Sequence, residues 1–159
     1  MKSLNSYKLS RKTSLLICRS DMRYNRFSRS VTCIVWSSNP LIFAVGYGRY
    51  FFTPNNSDGL VYVWNIKNPV LPERTIRLKS PTSACAFSKR HPNLLAIGLI
   101  SGSMVLVDIS TPYCPVIFES QETGDPLWSI TWLQMESYGE DEMLLAGTQV
   151  FRIPSLGNY

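Results

Sequence analysis

The chain has 159 residues, of which 45% are hydrophobic and 12% aromatic, so it can bury a packed core and lacks the composition of a disordered protein. Its longest apolar runs, such as residues 41–45, are far shorter than the roughly 20 residues of a membrane helix, so no membrane span is predicted. The net charge of +5 divides into +7 on residues 1–30 and −2 on the rest, so a basic body with a groove for nucleic acid is not indicated.

Residues 1–30 form a first segment that holds eight of the 16 basic residues, seven serines and a single acid, Asp21. This composition is superficially that of a mitochondrial transit peptide. Charge runs more often stay in water, so we predict a basic, flexible N-terminal arm. A further hypothesis assigns the arm to nucleic acid or another acidic surface. The apolar stretch at 15–18 is too short for the core of a signal peptide, so secretion is not expected.

Three six-residue runs of alternating polarity follow, and each ends in an aromatic residue. They begin at residues 31, 82 and 127, so that they are 51 and 45 residues apart. A turn and a second apolar run that ends in glycine come after each of them. The corresponding residues are Trp36, Phe87 and Trp132 in the first runs, and Gly46, Gly98 and Gly147 in the second. A period near 50 residues indicates a repeat architecture.

A third run follows a glycine turn in the first two copies, at 58–66 and 101–109. These runs are rich in β-branched and aromatic residues, which favours strands over helices. Gly59 and Gly102 stand where a tight hairpin turn would need a positive φ. Short fourth strands are predicted at 74–78 and 116–118, as the outermost strand of each unit.

Units of four antiparallel strands that repeat in this way predict an all-β fold, and specifically part of a WD-repeat β-propeller. An immunoglobulin-type sandwich fits less well, because its strands do not repeat in fours. We predict a first blade over 31–78, a second over 79–120, and an incomplete third with a divergent tail over 121–159. A complete ring usually needs about seven blades, or roughly 300 residues, so a truncated or alternative product, or an incomplete gene model, is expected.

The third predicted strand of each of the first two units ends in a degenerate WD signature. Trp64 with Asn65, and Val107 with Asp108, stand where WD repeats have Trp-Asp, while the usual Gly-His dipeptide is missing. A more specific likeness lies in the segments LIFAVGYG at 41–48, WNIKNP at 64–69 and HPNLLAIG at 91–98. In these segments, and in their order, the chain resembles the dynein intermediate chains, above all the axonemal ones.

The resemblance implies a non-catalytic scaffold that binds a dynein heavy chain and other dynein subunits, and that serves dynein arm assembly and cilium movement. It implies a place in the cytoplasm and cytoskeleton, in the axoneme of a cilium or flagellum. A WD-repeat adaptor of another complex, such as a ubiquitin ligase receptor or a chromatin reader, is the alternative. No small-molecule substrate, membrane or nucleic-acid partner of the body is expected.

Two connections hold the candidate partner contacts, because aromatic and charged side chains on the loops of a rigid scaffold are suited to binding. One connection follows the second predicted strand and the other follows the third. The candidate contact residues are Tyr47, Arg49, Tyr50, Phe51, Lys67, Glu73 and Arg74.

No catalytic, cofactor or metal site is predicted. The glycines at 46 and 48 lack the third glycine of a dinucleotide fingerprint. His91 stands in a proline-flanked turn without a partner, and the acids at 140–142 lack the alternating spacing of calcium ligands. The four tryptophans (Trp36, Trp64, Trp128 and Trp132) are predicted to pack in the core between blades rather than to stack on bases.

The four cysteines show neither a C-x-x-C pair nor clustering with His91, so no zinc site is expected. Cys33 and Cys85 lie inside apolar runs, where a free thiol behaves as a small buried hydrophobe. Cys18 and Cys114 lie outside the predicted strands. The pattern predicts a reduced, intracellular protein.

Overall fold

A computed structural model of the chain describes residues 29–48, 58–68, 70–134 and 142–148. Within these ranges the chain consists of β-strands and the turns between them. It has no helix there, and so no helix that could cross a membrane. The strands are β1 Ser30–Trp36, β2 Ile42–Gly48, β3 Gly59–Asn65, β4 Arg74–Leu78, β5 Thr82–Phe87, β6 Leu94–Leu99, β7 Met104–Asp108, β8 Val116–Glu119, β9 Leu127–Gln134 and β10 Glu142–Thr148.

The strands form three antiparallel sheets in which neighbours in sequence are neighbours in space. β1 to β4 form the first blade, β5 to β8 the second, and β9 with β10 the third, two-stranded one. The order arises because short connections join each strand to the next, which antiparallel pairing permits. The predicted fold class is confirmed: two four-stranded blades and part of a third form a partial propeller.

The blades stack face to face through their first strands. β5 packs against β1 and β2, and β9 packs against β5 and β6. The residues of β2 and β6 are almost all buried, which is why these strands are almost continuously apolar instead of alternating. β6 lies between the first and third blades, whereas β2 has a described blade on one side only. The largest core lies between the first two blades and includes Ala44, Val61, Val63, Phe87, Leu95, Ile97 and Val107. A smaller core joins the second and third blades.

The structure requires glycine at positions 59 and 102 for different reasons. Gly102 has a φ of +84°, as predicted for its turn. The prediction is wrong for Gly59, which begins β3 with no positive φ. A Cβ atom there would lie 2.1 Å from the carbonyl oxygen of Ser80, so close approach of two backbones excludes a side chain.

The four tryptophans divide by their exposure. Trp64 and Trp132 are buried, whereas Trp36 and Trp128 are 56% and 44% exposed. The prediction of core packing is therefore wrong for Trp36 and Trp128. Trp36 lies beside Phe43 on the face of the first blade that points away from the second, and no described blade covers it there. Trp128 lies in the two-stranded third blade, which has fewer neighbours to bury it.

Candidate interaction surface

One end of the blades is built from the connections β1–β2, β3–β4, β5–β6 and β7–β8. A polar residue at the Trp-Asp position organises this end in both complete blades. The Asn65 side-chain oxygen accepts a hydrogen bond from the Lys67 amide at 3.0 Å, and the Asp108 carboxylate accepts one from the Ser110 amide at 2.8 Å. Such turns fix the chain as it leaves the third strand. The end surface is therefore held rigidly by the fold.

One serine directly follows β1 and another directly follows β5, and each links its own blade to the next blade. The Ser37 hydroxyl donates to the Pro92 carbonyl of the second blade at 3.0 Å. The equivalent Ser88 hydroxyl donates to the Glu142 carboxylate of the third blade. Sequence reasoning missed these links, although a serine after the aromatic residue in both copies was a usable signal.

Arg74, a predicted partner contact, is already used inside the chain. Its Nε donates to the Ile109 carbonyl at 3.1 Å, and its Nη1 donates to the Glu73 carbonyl at 2.9 Å. The half-buried guanidinium thereby ties β4 to the second blade. Glu73 is exposed, and its carboxylate accepts a hydrogen bond from the side-chain amide of Asn65 at 2.8 Å. Lys67 is exposed in the same connection.

Tyr47, another predicted contact, does not join this surface. Tyr47 lies within β2, only 2% exposed, with its ring edge-on to that of Tyr62 at 5.4 Å, so its assignment to an exposed loop is corrected. It is buried because β2 continues two residues past the predicted strand end. Arg49, Tyr50 and Phe51 lie outside the described residues. The residues that flank them are at the opposite end of the first blade from Lys67.

An open groove of about 330 Å³ lies at the same end as Lys67, between the β5–β6 turn and β8. His91 acts here as a turn residue, since its amide donates to Ser88 Oγ at 2.8 Å and its carbonyl accepts from the Leu94 amide. The groove combines polar groups with an exposed aliphatic side chain, which suits a protein segment. Its lining residues are His91, Pro92, Asn93, Leu94, Asp108, Ser110 and Ile117.

The described residues contain no group of three His, Cys, Asp or Glu side chains that could hold a metal ion. Of the acidic run at 140–142, residues 140 and 141 lie outside the described part. Glu142 binds Ser88 and the Arg90 amide. The groove and the turns around it offer groups for hydrogen bonds and for apolar contact.

Known proteins are similar to this chain over about two thirds of its length. "Dynein axonemal intermediate chain 4" of Danio rerio is 36% identical over 113 residues, which are 68% of this chain and 14% of the relative. The "78 kDa intermediate chain, flagellar outer arm" dynein of Chlamydomonas reinhardtii is 39% identical over 65% of this chain and 16% of the relative. The chain belongs to the dynein intermediate chain family. No protein-family model matches it.

The family resemblance found in the sequence is thus confirmed. The human "Dynein axonemal intermediate chain 4" is similar as well, with 31% identity over 67% of this chain. This dynein intermediate chain family member spans about one seventh of the length of the relatives it matches. Among solved structures, "COPII on membranes, outer coat vertex" superposes with a TM-score of 0.50 and 16% identity, over 67% of this chain and 29% of that one. At that identity the likeness concerns the propeller fold alone.

Within this family fold, the edge of the second blade carries an apolar surface that sequence reasoning did not single out. All four residues of β8 are exposed, among them Val116, Ile117 and Phe118. Tyr113, in the connection before β8, is exposed too. Ile117 joins this edge to the groove, so the end surface continues onto the outer edge of the blade.

Proposed function

We propose that this chain is a non-catalytic scaffold of an axonemal dynein intermediate chain, and that its blades bind a dynein heavy chain in the axoneme of a cilium or flagellum. The observation that carries the proposal is the 36–39% identity to axonemal and flagellar outer-arm intermediate chains over about two thirds of this chain. A role in dynein arm assembly and cilium movement follows from it.

The end surface at Lys67, Glu73 and the groove is the proposed contact region. Its turns are fixed by the Asn65 and Asp108 side chains. A surface that is ordered before binding loses less conformational entropy when a partner docks. The exposed charges of Lys67 and Glu73 would orient the partner, while the groove would take an apolar side chain.

Affinity purification of the tagged chain from ciliated cells tests the proposal. Recovery of a dynein heavy chain is expected with the wild-type chain. Lys67→Glu reverses one charge on the end surface and should reduce that recovery about tenfold, the effect of roughly 1.4 kcal/mol. Lys79→Glu is the matched control, because Lys79 is exposed at the opposite end of the blades.

The control variant should recover as much heavy chain as the wild type. Recovery without any dynein subunit, or recovery of a ubiquitin ligase or chromatin complex in its place, would contradict the dynein proposal. An equal loss in both lysine variants would contradict the assignment of the contact to this end.

A further inference from the structure

Two cysteines face each other between the first two blades. Cys33 lies in β1 opposite Gly46, and Cys85 lies in β5 opposite Ile97. In the repeat, Cys33 is equivalent to Ala84, the residue before Cys85, and equivalent residues face the same side of their blades. Neighbouring residues of a strand point to opposite faces, so Cys85 points the other way from Ala84. Cys33 therefore faces the second blade, and Cys85 faces the first.

The surroundings of the two thiols agree with this arrangement. A Cβ atom on Gly46 would lie 2.5 Å from Cys33 Sγ and 2.8 Å from Cγ2 of Thr82, so the Cys33 sulfur lies at the interface with β5. Cys85 packs against the core between the two blades. Both cysteines are free thiols of intermediate exposure.

The two thiols differ in acidity. A hydrogen bond from the Cys85 thiol lowers the pKa of Cys33 against the opposing effect of burial, and the Thr32 hydroxyl and the Gly46 backbone contribute in the same direction. The same bond, together with burial, raises the pKa of Cys85 well above its ordinary value. Since the thiolate is the nucleophile, Cys33 is the thiol suited to attack and Cys85 the thiol suited to resolve.

We propose that Cys33 and Cys85 are a redox modification site that forms a reversible disulfide between the first two blades. The Cys33 thiolate attacks one sulfur of a small disulfide such as oxidised glutathione, and the S–S bond of the oxidant breaks to release one thiol. Cys85 then gives up its proton and attacks the Cys33 sulfur of the mixed disulfide, which releases the second thiol. The two protein thiols lose two electrons, and the oxidant is reduced to two thiols.

The bond joins strands that are far apart in sequence and already packed together. A cross-link of this kind restricts the unfolded chain, so oxidation should raise the melting temperature. It should also hold the first two blades in their stacked arrangement.

The experiment uses the full chain with Cys18→Ser and Cys114→Ser, which leaves only the proposed pair. After treatment with oxidised glutathione and tryptic digestion without reductant, mass spectrometry should find the peptides of Cys33 and Cys85 joined, and dithiothreitol should separate them. The melting temperature should rise on oxidation and return on reduction. The wild-type chain, mapped in the same way, gives the same readout if the double variant fails to fold.

Two single variants in that background test the assigned roles. Cys85→Ser should leave Cys33 as a stable mixed disulfide with glutathione, whereas Cys33→Ser should leave Cys85 largely unmodified. A folded chain whose two cysteines remain thiols, or that links only to a second copy, would overturn the proposal. Equal glutathione addition in the two variants would overturn the assigned order of attack.

Discussion

The Ser88 hydroxyl at the end of β5 donates a hydrogen bond to the carboxylate of Glu142 at the start of β10. The same carboxylate accepts from the Arg90 backbone amide at 3.1 Å. One acidic side chain of the third blade thus holds the β5–β6 turn of the second. This contact adds to the small core between the second and third blades and to the hydrogen bonds that Ser83 and Trp132 make across the same interface.

Replacement of Glu142 should therefore weaken the molecule. Glu142→Ala is expected to lower the free energy of unfolding by about 1.5–3 kcal/mol, because hydrogen bonds to charged groups contribute about that much. Ser88→Ala removes the same contact and also the acceptor of the His91 amide, so it should be destabilising too. The double variant should be less destabilised than the sum of the two single variants, because they share the Ser88–Glu142 contact. Urea denaturation measures all three. Glu119→Ala, in an exposed pair with Lys79 at 3.8 Å, is the control and should change stability by less than about 0.5 kcal/mol.

Gly46 should not tolerate a methyl group. Gly46→Ala would place a Cβ atom 2.5 Å from the Cys33 sulfur and 2.8 Å from Cγ2 of Thr82, both in the interface of two blades. Overpacking of this kind costs about 1–3 kcal/mol, which thermal or urea unfolding would detect. Gly147→Ala is the matched control, because its nearest neighbour would be 3.9 Å away. If both substitutions were equally harmless, the close packing of β1 and β2 on β5 would be contradicted.

Trp132 should be more sensitive than Trp36, although both end the first strand of a repeat. The Trp132 indole nitrogen donates to the Ala86 carbonyl at 3.1 Å, in a buried position. Trp132→Phe leaves this carbonyl without its donor and removes buried volume, so a loss of about 1–3 kcal/mol is expected. Trp36→Phe keeps an aromatic ring beside Phe43 at an exposed site and should cost less than about 0.5 kcal/mol. Equal losses would contradict this account.

Alkylation of the cysteines should follow their acidities. The lowered pKa of Cys33 puts more of it in the thiolate form at about pH 8, so iodoacetamide should modify Cys33 faster than Cys85. As the pH rises, the rate at Cys33 should level off below the ordinary thiol pKa of 9.0, and the rate at Cys85 should continue to rise above it. Burial also raises the pKa of Cys114, which should react slowly at pH 8. Peptide mass spectrometry over a pH series provides the rates.

The candidate surface was less accessible to sequence reasoning than the strands were. Lys67 and Glu73 are exposed in the connection after the third strand, where the sequence placed them, and their role as partner contacts stays a prediction. Tyr47 was misassigned, because a strand covered on both faces has no polar alternation to mark its end. The groove at His91 and Ile117 joins a turn to a strand 26 residues later, and no local pattern predicts that contact.

The sequence by itself determined the strands, their order and the repeat, because residue-by-residue preference for strand and turn is a local property. It also determined the family, through segments that keep their order. Only the tertiary structure decided which side chains are covered, since that depends on the neighbouring blade. Phe87 and Trp132 each pack toward the blade before their own, whereas Trp36, at the same position of the repeat, has no described blade there and is exposed. Residues at equivalent positions of the repeat therefore differ in burial, because burial depends on the neighbouring blade and not on the strand alone.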